Sequence, residues 1–330
     1  MLLLIDAFST LYAGYHALAG TLNTTPANAA LFGFFQSLMG RLRACPHATY
    51  VFLCMDSGRG FRHDLVEDYK AQRNTYKSDK EEMEHAAVRD GISEALRELQ
   101  GLQFAMPWYH VERPDTEGDD LIGKLCQTYP NVHKQIVSGD KDMLQLINPY
   151  TSVYRRDKNV EITHVTFQGH VHVKATRKKE KVQLFFNTPD EWFLFRVLTG
   201  DPSDNIKGVP GIGDVGGHAI VRTLYTKFNG KVKALLDNPE KVLCIAGVAN
   251  WQKISSVLKV SGEQIINRNI SLMSLVEAAD RIEDINPYVF TGNWKQGKSH
   301  FTTWLMQKEF RSILNDMPLF DDMGNKQGSA

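Results

Sequence analysis

The chain predicts an α/β fold with a mostly parallel central sheet, and three features of its 330 residues point there. Short apolar runs recur at 2–5, 50–55 and 135–138, each suited to a buried strand. Helix-period stretches separate them, as in parallel crossover units. Each run stops at or just before an aspartate, namely Asp6, Asp56 and Asp140. The carboxyl ends of parallel strands are where open α/β sheets place their active sites.

The elements follow in order. Leu2-Leu3-Leu4-Ile5 is wholly aliphatic and reads as the first strand. Residues 26–44 read as a helix, and Tyr50 to Met55 as a second buried strand. Residues 57–77 are basic, aromatic and irregular. Ser78-Asp79 before Glu81-Glu82 is an N-cap with acids in the first turn. The helix it starts should run to about Leu99, with Met83, Ala86, Ala87, Ile92, Ala95, Leu96 and Leu99 on one face. Gly101 is a natural stop. A third strand is expected at 103–106, a helix from Asp119 to Tyr129, and a fourth strand from Gln135 to Ser138. Polar/apolar alternation in 151–186 predicts β hairpins. From 189 the chain reads as helical, with Gly/Pro punctuation at 208–217. The organisation expected is an α/β core over 1–187 with an inserted β-like segment at about 158–187, a mainly helical region over 188–315, and a flexible polar tail over 316–330.

Thirty-eight basic residues balance 38 acidic ones, so net charge says nothing about partners and placement must decide. The acids fall in tight knots, and the bases in separate runs such as 174–181. A neutral total therefore permits a negative pocket beside positive surfaces. Four cysteines, with no CxxC pair, read as buried thiols in a reducing compartment. No stretch approaches the ~20 apolar residues of a membrane span. The sequence predicts a cytoplasmic monomer without a membrane partner.

Nine acids stand out. Asp6 and Asp56 end apolar runs; Glu117, Asp119 and Asp120 lie in EGDD; Asp140 and Asp142 lie in GDKD; Asp201 and Asp204 lie in GDPSD. A bare acidic pair usually marks solvated surface. These have apolar flanks, so they would crowd one edge and repel. Divalent metal is the natural compensation. An oxygen-only donor set suits Mg2+, with Mn2+ able to substitute, and the lack of convergent His/Cys spacing disfavours zinc. Two such ions ~3.5–4 Å apart would clamp a phosphodiester. The residues alone leave that chemistry and other Mg2+ chemistry both open.

Longer blocks narrow the choice. Leu-Ile-Asp-Ala-Phe-Ser-Thr-Leu-Tyr (4–12) is followed by Tyr15-His16-Ala17. Phe61-Arg62, Leu65 and Tyr69-Lys70-Ala71-Gln72-Arg73 come next, then EGDDLIG, SGDKDMLQL and TGDPSDNIKGVPGIG. Five blocks in this order resemble the flap endonuclease/5′-3′ exonuclease family over about residues 2–280. The pattern is that of the 5′-nuclease domain of bacterial DNA polymerase I and of stand-alone phage 5′-nucleases.

The resemblance implies a PIN-like/5′-nuclease fold with a helical arch at about 57–90 and a helix–hairpin–helix-type DNA-binding region at about 195–225. It implies a structure-specific 5′-nuclease, both flap endonuclease and 5′-3′ exonuclease, using two-metal hydrolysis in replication or repair, including removal of RNA primers. Asp6, Asp56, Glu117, Asp119 and Asp120 would surround one ion. Asp140, Asp142, Asp201 and Asp204 would surround the other, with some sharing. Lys70 and Arg73 would contact the scissile phosphate at the arch base. Arg62, Tyr69, Gly208, Val209, Gly211, Ile212 and Gly213 would bind DNA, the glycine loop through backbone amides. A K+ ion at the 208–213 loop is implied, as are branched or 5′-ended DNA, an RNA–DNA hybrid and replication proteins as partners, in a bacterial or phage-infected cell.

The segment 158–187 departs from the polymerase-associated pattern and carries Arg177, Lys178, Lys179 and Lys181. It reads as an inserted hairpin, either a solvated loop or a DNA-backbone contact. Ala13 stands where relatives often carry a basic residue. The competing function is a PIN-like or RNase H-type ribonuclease acting on RNA or RNA–DNA hybrids. A non-catalytic DNA binder fits poorly, because such a protein gains nothing from massed carboxylates beside phosphates.

Overall fold

The computed structural model describes residues 1–19, 24–71, 78–177 and 180–327. The chain begins with strand β1 (Leu2–Asp6), helix α1 (Ala7–Leu18), helix α2 (Pro26–Ala44) and strand β2 (Tyr50–Cys54). A short turn of helix α3 (Arg62–Leu65) precedes the long helix α4 (Asp79–Gly101). Strand β3 (Tyr109–Val111), helix α5 (Gly118–Thr128) and strand β4 (Lys134–Val137) complete the first crossover units. Strands β5 (Thr151–Arg155) and β6 (Val160–Ile162), the turn α6 (Phe167–His170) and strands β7 (His172–Arg177) and β8 (Glu180–Phe185) follow. Helix α7 (Pro189–Thr199), the two-residue strands β9 (Gly200–Asp201) and β10 (Ile206–Lys207) and helix α8 (Asp214–Lys227) lead into the helical region. That region comprises α9 (Val232–Asp237), α10 (Pro239–Ile245), α11 (Trp251–Val257), α12 (Glu263–Met273) and α13 (Leu275–Asp280). Strand β11 (Val289–Thr291) and helices α14 (Trp294–Gln307), α15 (Arg311–Leu314) and α16 (Met317–Gln327) end the chain.

The main sheet has seven strands in the order β11-β3-β2-β1-β4-β5-β6. The five inner strands run parallel, and both edge strands are antiparallel. β1 lies at the centre, with Leu4 paired to Phe52 on one side and Ile136 on the other. Its unbroken aliphatic run has a simple cause, because both sheet faces are covered. Leu2 and Leu4 enter one core, whereas Leu3 and Ile5 enter the other. The chain winds outward from β1 in both directions, so the strand order reverses there. A crevice opens at such a switch point, beyond the strands' carboxyl ends.

The expected mixed fold is therefore present, with several local corrections. The third strand lies at Tyr109–Val111 and not at 103–106. Residues 102–106 instead close turns back onto Leu102. Pro107 supplies no amide for a ladder, so pairing starts beyond it. Ser78 caps α4 as expected, its side chain accepting from the Glu81 amide. Ile92, Ala95 and Leu99 are buried on that helix, but Met83 is 67% exposed and Ala87 is also exposed. The amino-terminal half of α4 stands away from the core. The alternating 160–167 segment splits, Val160–Ile162 pairing with β5 and Phe167 starting the turn α6. The hairpin proper is β7–β8.

The tail expected to be flexible is mostly helical. Phe320 in α16 is fully buried, packed on Phe35, Phe301 and Trp294, while the Trp294 indole donates to Asp321 at 2.9 Å. A polar, glycine-containing composition hid two apolar anchors, Phe320 and Met323, that dock on the sheet's covering layer. One core runs from Leu2 to Ile285 without a break at residue 187. Of the cysteines, Cys54 is buried whereas Cys244 is exposed. Among the described residues no helix is long and apolar enough to cross a membrane.

Candidate metal centre and its nucleic-acid surface

Asp6 ends β1 and caps α1. Its carboxylate accepts from the Ser9 amide at 2.9 Å and from the Ser138 hydroxyl at 2.7 Å. Parallel pairing of β1 with β2 and β4 sets Asp6 between Asp56 and Asp140, which lie just past those strands. Asp56 accepts from the Gly118 amide at 2.8 Å, tying β2 to the start of α5. A side chain at residue 118 would begin only 3.3 Å from the Cys54 carbonyl, so glycine in EGDD permits this close seat. The start of α5 then presents Glu117, Asp119 and Asp120 together, with carboxylate oxygens within 4.8 Å of one another.

These side chains open on a cleft of about 480 Å3, lined by Asp6, Asp56, Glu117, Asp119, Asp140, Lys70 and the aromatic rings of Phe8 and Tyr12. A second acid group joins Asp142, Asp201 and Asp204, again within 4.8 Å. It is built from the turn after β4 and the tight β9–β10 turn after α7. Asp140 belongs with the Asp6 cleft by position. It also touches the second group through its carboxylate, which accepts from the Asp142 amide at 2.8 Å. The expected grouping of Asp140 with Asp142, Asp201 and Asp204 is corrected to a bridging place.

Electrostatics describe an overcharged site. Burial first, then Asp56, pushes Asp6 up to about 7. Burial and Asp140 push Asp142 up to about 7, against the pull of Arg196. Asp119 is raised far above the carboxylate range by burial and by Asp120, and Asp56 and Asp120 are raised by burial as well. Asp201 is lowered: burial would raise it, but Arg196 and the Ser203 hydrogen bonds prevail. Two groups of repelling carboxylates placed this way could each hold a metal ion.

Three basic groups hold the acids in place. Arg62 is 2% exposed; its guanidinium grips both oxygens of Asp120 at 2.7 and 2.9 Å, Glu117 at 2.8 Å and the Leu272 carbonyl at 2.7 Å. Lys70 pairs with Glu117 through its ammonium, while its amide donates to the Asp204 carbonyl at 3.1 Å. It thereby spans the two acid groups, and does so in the left-handed region at φ 59. Such a conformation in a non-glycine residue is costly and clusters at functional sites. Arg196 pairs with Asp201 and reaches Asp142 at 3.1 Å.

Two expected DNA contacts are thereby corrected. Arg62 is committed to carboxylates inside the protein. Tyr69 is 4% exposed and turns its hydroxyl toward Asp204 at 3.4 Å. Both are buried because the acids need counter-charge and donors. Asp120, with both oxygens held by Arg62, orients this assembly. Arg73 lies outside the described residues, as do Lys178 and Lys179. Sequence reading missed Arg196, although a signal was there: one cation inside the apolar run Trp192 to Leu198, a pattern that marks a buried ion pair.

Helix α7, the 208–213 loop and α8 form a helix–loop–helix. Val209 and Ile212 are buried and knit the loop to the core, with the Val209 amide donating to Leu198 at 2.8 Å. Burial of both side chains leaves only the backbone of this loop open to a ligand, as the sequence led one to expect. Gly211 and Gly213 are exposed, and Gly211 has φ 91, where a side chain would be strained.

Comparison with known proteins agrees with this geometry. The family model described as 5′-3′ exonuclease, N-terminal resolvase-like domain, matches residues 1–179. A DNA polymerase I of Thermus filiformis is 29% identical over 242 residues, covering 73% of this chain and 25% of the polymerase. That of Bacillus subtilis is 32% identical over 217 residues, covering 64% of this chain and 22% of the polymerase. The chain thus spans about a quarter of the length of these polymerases. A 5′-3′ exonuclease of Buchnera aphidicola is 26% identical over 272 residues, covering 80% of this chain and 82% of that protein. Among solved structures, a bacteriophage T5 flap endonuclease in complex with DNA and metal ions superposes with a TM-score of 0.63 at 19% identity, covering 86% of this chain and 94% of that one.

Proposed function

The chain belongs to the 5′-3′ exonuclease family, and on that premise we propose that it is a structure-specific nuclease cutting DNA phosphodiesters at 5′ ends and 5′ flaps, in replication or repair. The observation that carries the proposal is the pairing of two acid groups by one lysine. Lys70 touches Glu117 in the first group and Asp204 in the second, at the mouth of the cleft. Divalent cations, Mg2+ or Mn2+, when held by Asp6, Asp56, Glu117, Asp119 and Asp140 on one side and Asp142, Asp201 and Asp204 on the other, would supply charge neutralisation and an activated water.

The protein's own groups do the rest. Ser9 and Ser138 fix the Asp6 carboxylate, so a ligand entering the cleft meets it in one orientation. Lys70 is held protonated: burial opposes its charge, but Glu117 and Asp119 override it. Its ammonium would leave Glu117 for the scissile phosphate and stabilise charge as it develops. Arg73 is proposed beside it. The exposed Gly211 and Gly213 would hold duplex backbone through their amides without reading sequence, with K+ bridging loop and phosphate. RNA primers on RNA–DNA hybrids are a further proposed substrate, and replication proteins proposed partners.

A 5′-labelled flap substrate tests this, with Mg2+ and with chelator, beside a matched RNA 5′ strand. Cleavage near the flap junction that requires Mg2+ is expected. Intact flap and nicked DNA with active-site residues unaltered would sink the proposal, and a strong preference for the RNA strand would move it to a ribonuclease.

A further inference from the structure

Strands β7 and β8 are anchored beside the DNA-facing loop. The Phe185 carbonyl lies 2.9 Å from His218 Nε2, in the second turn of the helix that starts after Gly213. Phe186 is fully buried against the same histidine, ring centroids 5.2 Å apart. The hairpin base is therefore a fixed part of the helix–loop–helix. From there the strands run about 17 Å to Arg177 and Glu180, at ~3.3 Å per residue.

The register divides the hairpin into two faces. Val173 and Ala175 pair with Leu184 and Val182 and form an apolar inner face. Lys174 and Thr176 pair with Gln183 and Lys181, and all four are exposed on the outer face. Arg177, exposed at the end of β7, lies on the other face, opposite Glu180. Among the described residues no ion pair engages Lys174, Arg177 or Lys181, whereas the cations at the metal centre are all paired. Charge left free on a rigid, outward face suits a polyanion.

We propose that the outer face of the β7–β8 hairpin, through Lys174 and Lys181, is an additional binding site for the phosphate backbone of duplex DNA, extending the surface begun by the 208–213 loop. The proposal deepens the nuclease reading and rests on it for the identity of the polyanion. Contacts of this kind are to phosphate, so they add affinity and salt dependence without sequence preference.

The test measures binding of the full chain to a short blunt duplex by fluorescence anisotropy in chelator, between about 50 and 200 mM salt. Neutralising both lysines together (K174Q, K181Q) should reduce the slope of log affinity against log salt by about 2, since each phosphate contact adds ~0.9. The charge-keeping variant K174R with K181R should retain the slope, which a merely structural role would not predict. K174Q alone should remove about one contact and serves if the double variant misfolds. An unchanged slope in both K174Q and the double variant overturns the proposal, as does an equal loss in the arginine variant. Flap cleavage by the unaltered chain is scored in parallel with Mg2+. Its absence defeats the nuclease reading, while the slope still decides the hairpin.

Discussion

The two acid groups solve the same electrostatic problem by different means. The first sits on rigid elements, at the ends of β1 and β2 and the start of α5, around a guanidinium that is 2% exposed. The second hangs on short turns, with Arg196 at its edge and 15% exposed. In the first, carboxylates outnumber nearby cations and burial raises Asp6, Asp56, Asp119 and Asp120. In the second, Arg196 wins at Asp201 and loses at Asp142. The lesson is that sheet geometry forces repelling charges together, whereas among the turns one arginine relieves Asp201 and leaves Asp142 raised.

The sharpest way to break this comparison is to remove one acid from each group. Asp119→Asn and Asp204→Asn should each lower flap cleavage by about 10^3-fold or more, since losing a metal ligand forfeits several kcal/mol of transition-state stabilisation. A near-normal rate for Asp204→Asn would reduce the second group to a structural role. Without metal, Asp119→Asn should raise the melting temperature, because a repelling buried carboxylate has gone.

The arginines differ next. Arg62→Met should cost about 3–5 kcal/mol in denaturant unfolding, because it strands Asp120 and Glu117 in the interior. Arg196→Met, at a more open site, should cost about 1–3 kcal/mol. Equal losses would mean that the two groups are equally buried in solution.

pH separates the groups from the rest of the protein. A carboxylate raised to about 7 keeps its proton in the folded, metal-free chain while the unfolded chain releases it near 3.8. Asp6 and Asp142 therefore make metal-free stability fall as pH rises from about 4 to about 7, and level above that. Metal binding displaces those protons, so Mg2+ affinity should climb about tenfold per pH unit for each proton displaced, up to about pH 7. Calorimetric titration from pH 6 to 8 reads this directly; flat affinity would contradict the raised carboxylates. The smallest expected effect lies outside both groups. Gly211→Ala should cost about 1–2 kcal/mol through its left-handed backbone, with weakened duplex binding as the accompanying readout.

Much of the first group was legible in the sequence. A buried parallel strand must be an apolar run, so an aspartate ending such a run announces itself, as Asp6, Asp56 and Asp140 do. The second group was found only as motif blocks, since turns leave no periodicity. Burial of Arg62 and Tyr69 was not legible, because a basic, aromatic stretch is the same in composition whether it faces phosphate or carboxylate. Arg196 left a signal, one cation inside an apolar run, but its partners, Asp142 and Asp201, meet it only in the fold. The α16 helix shows how two apolar residues outweigh a polar context once a docking face exists.

The sequence alone determined the alternation of strand and helix and the chemical identity of the donor set, because these rest on local patterning and side-chain type. Only the tertiary structure decided which acids share a cleft, that Asp140 bridges them, that Arg62 faces inward, and that β11 and α16 return from the far end of the chain to close the core. Those outcomes depend on groups up to hundreds of residues apart, and the energies that select them, burial of apolar surface and of charge against its counter-charge, exist only after the chain has folded.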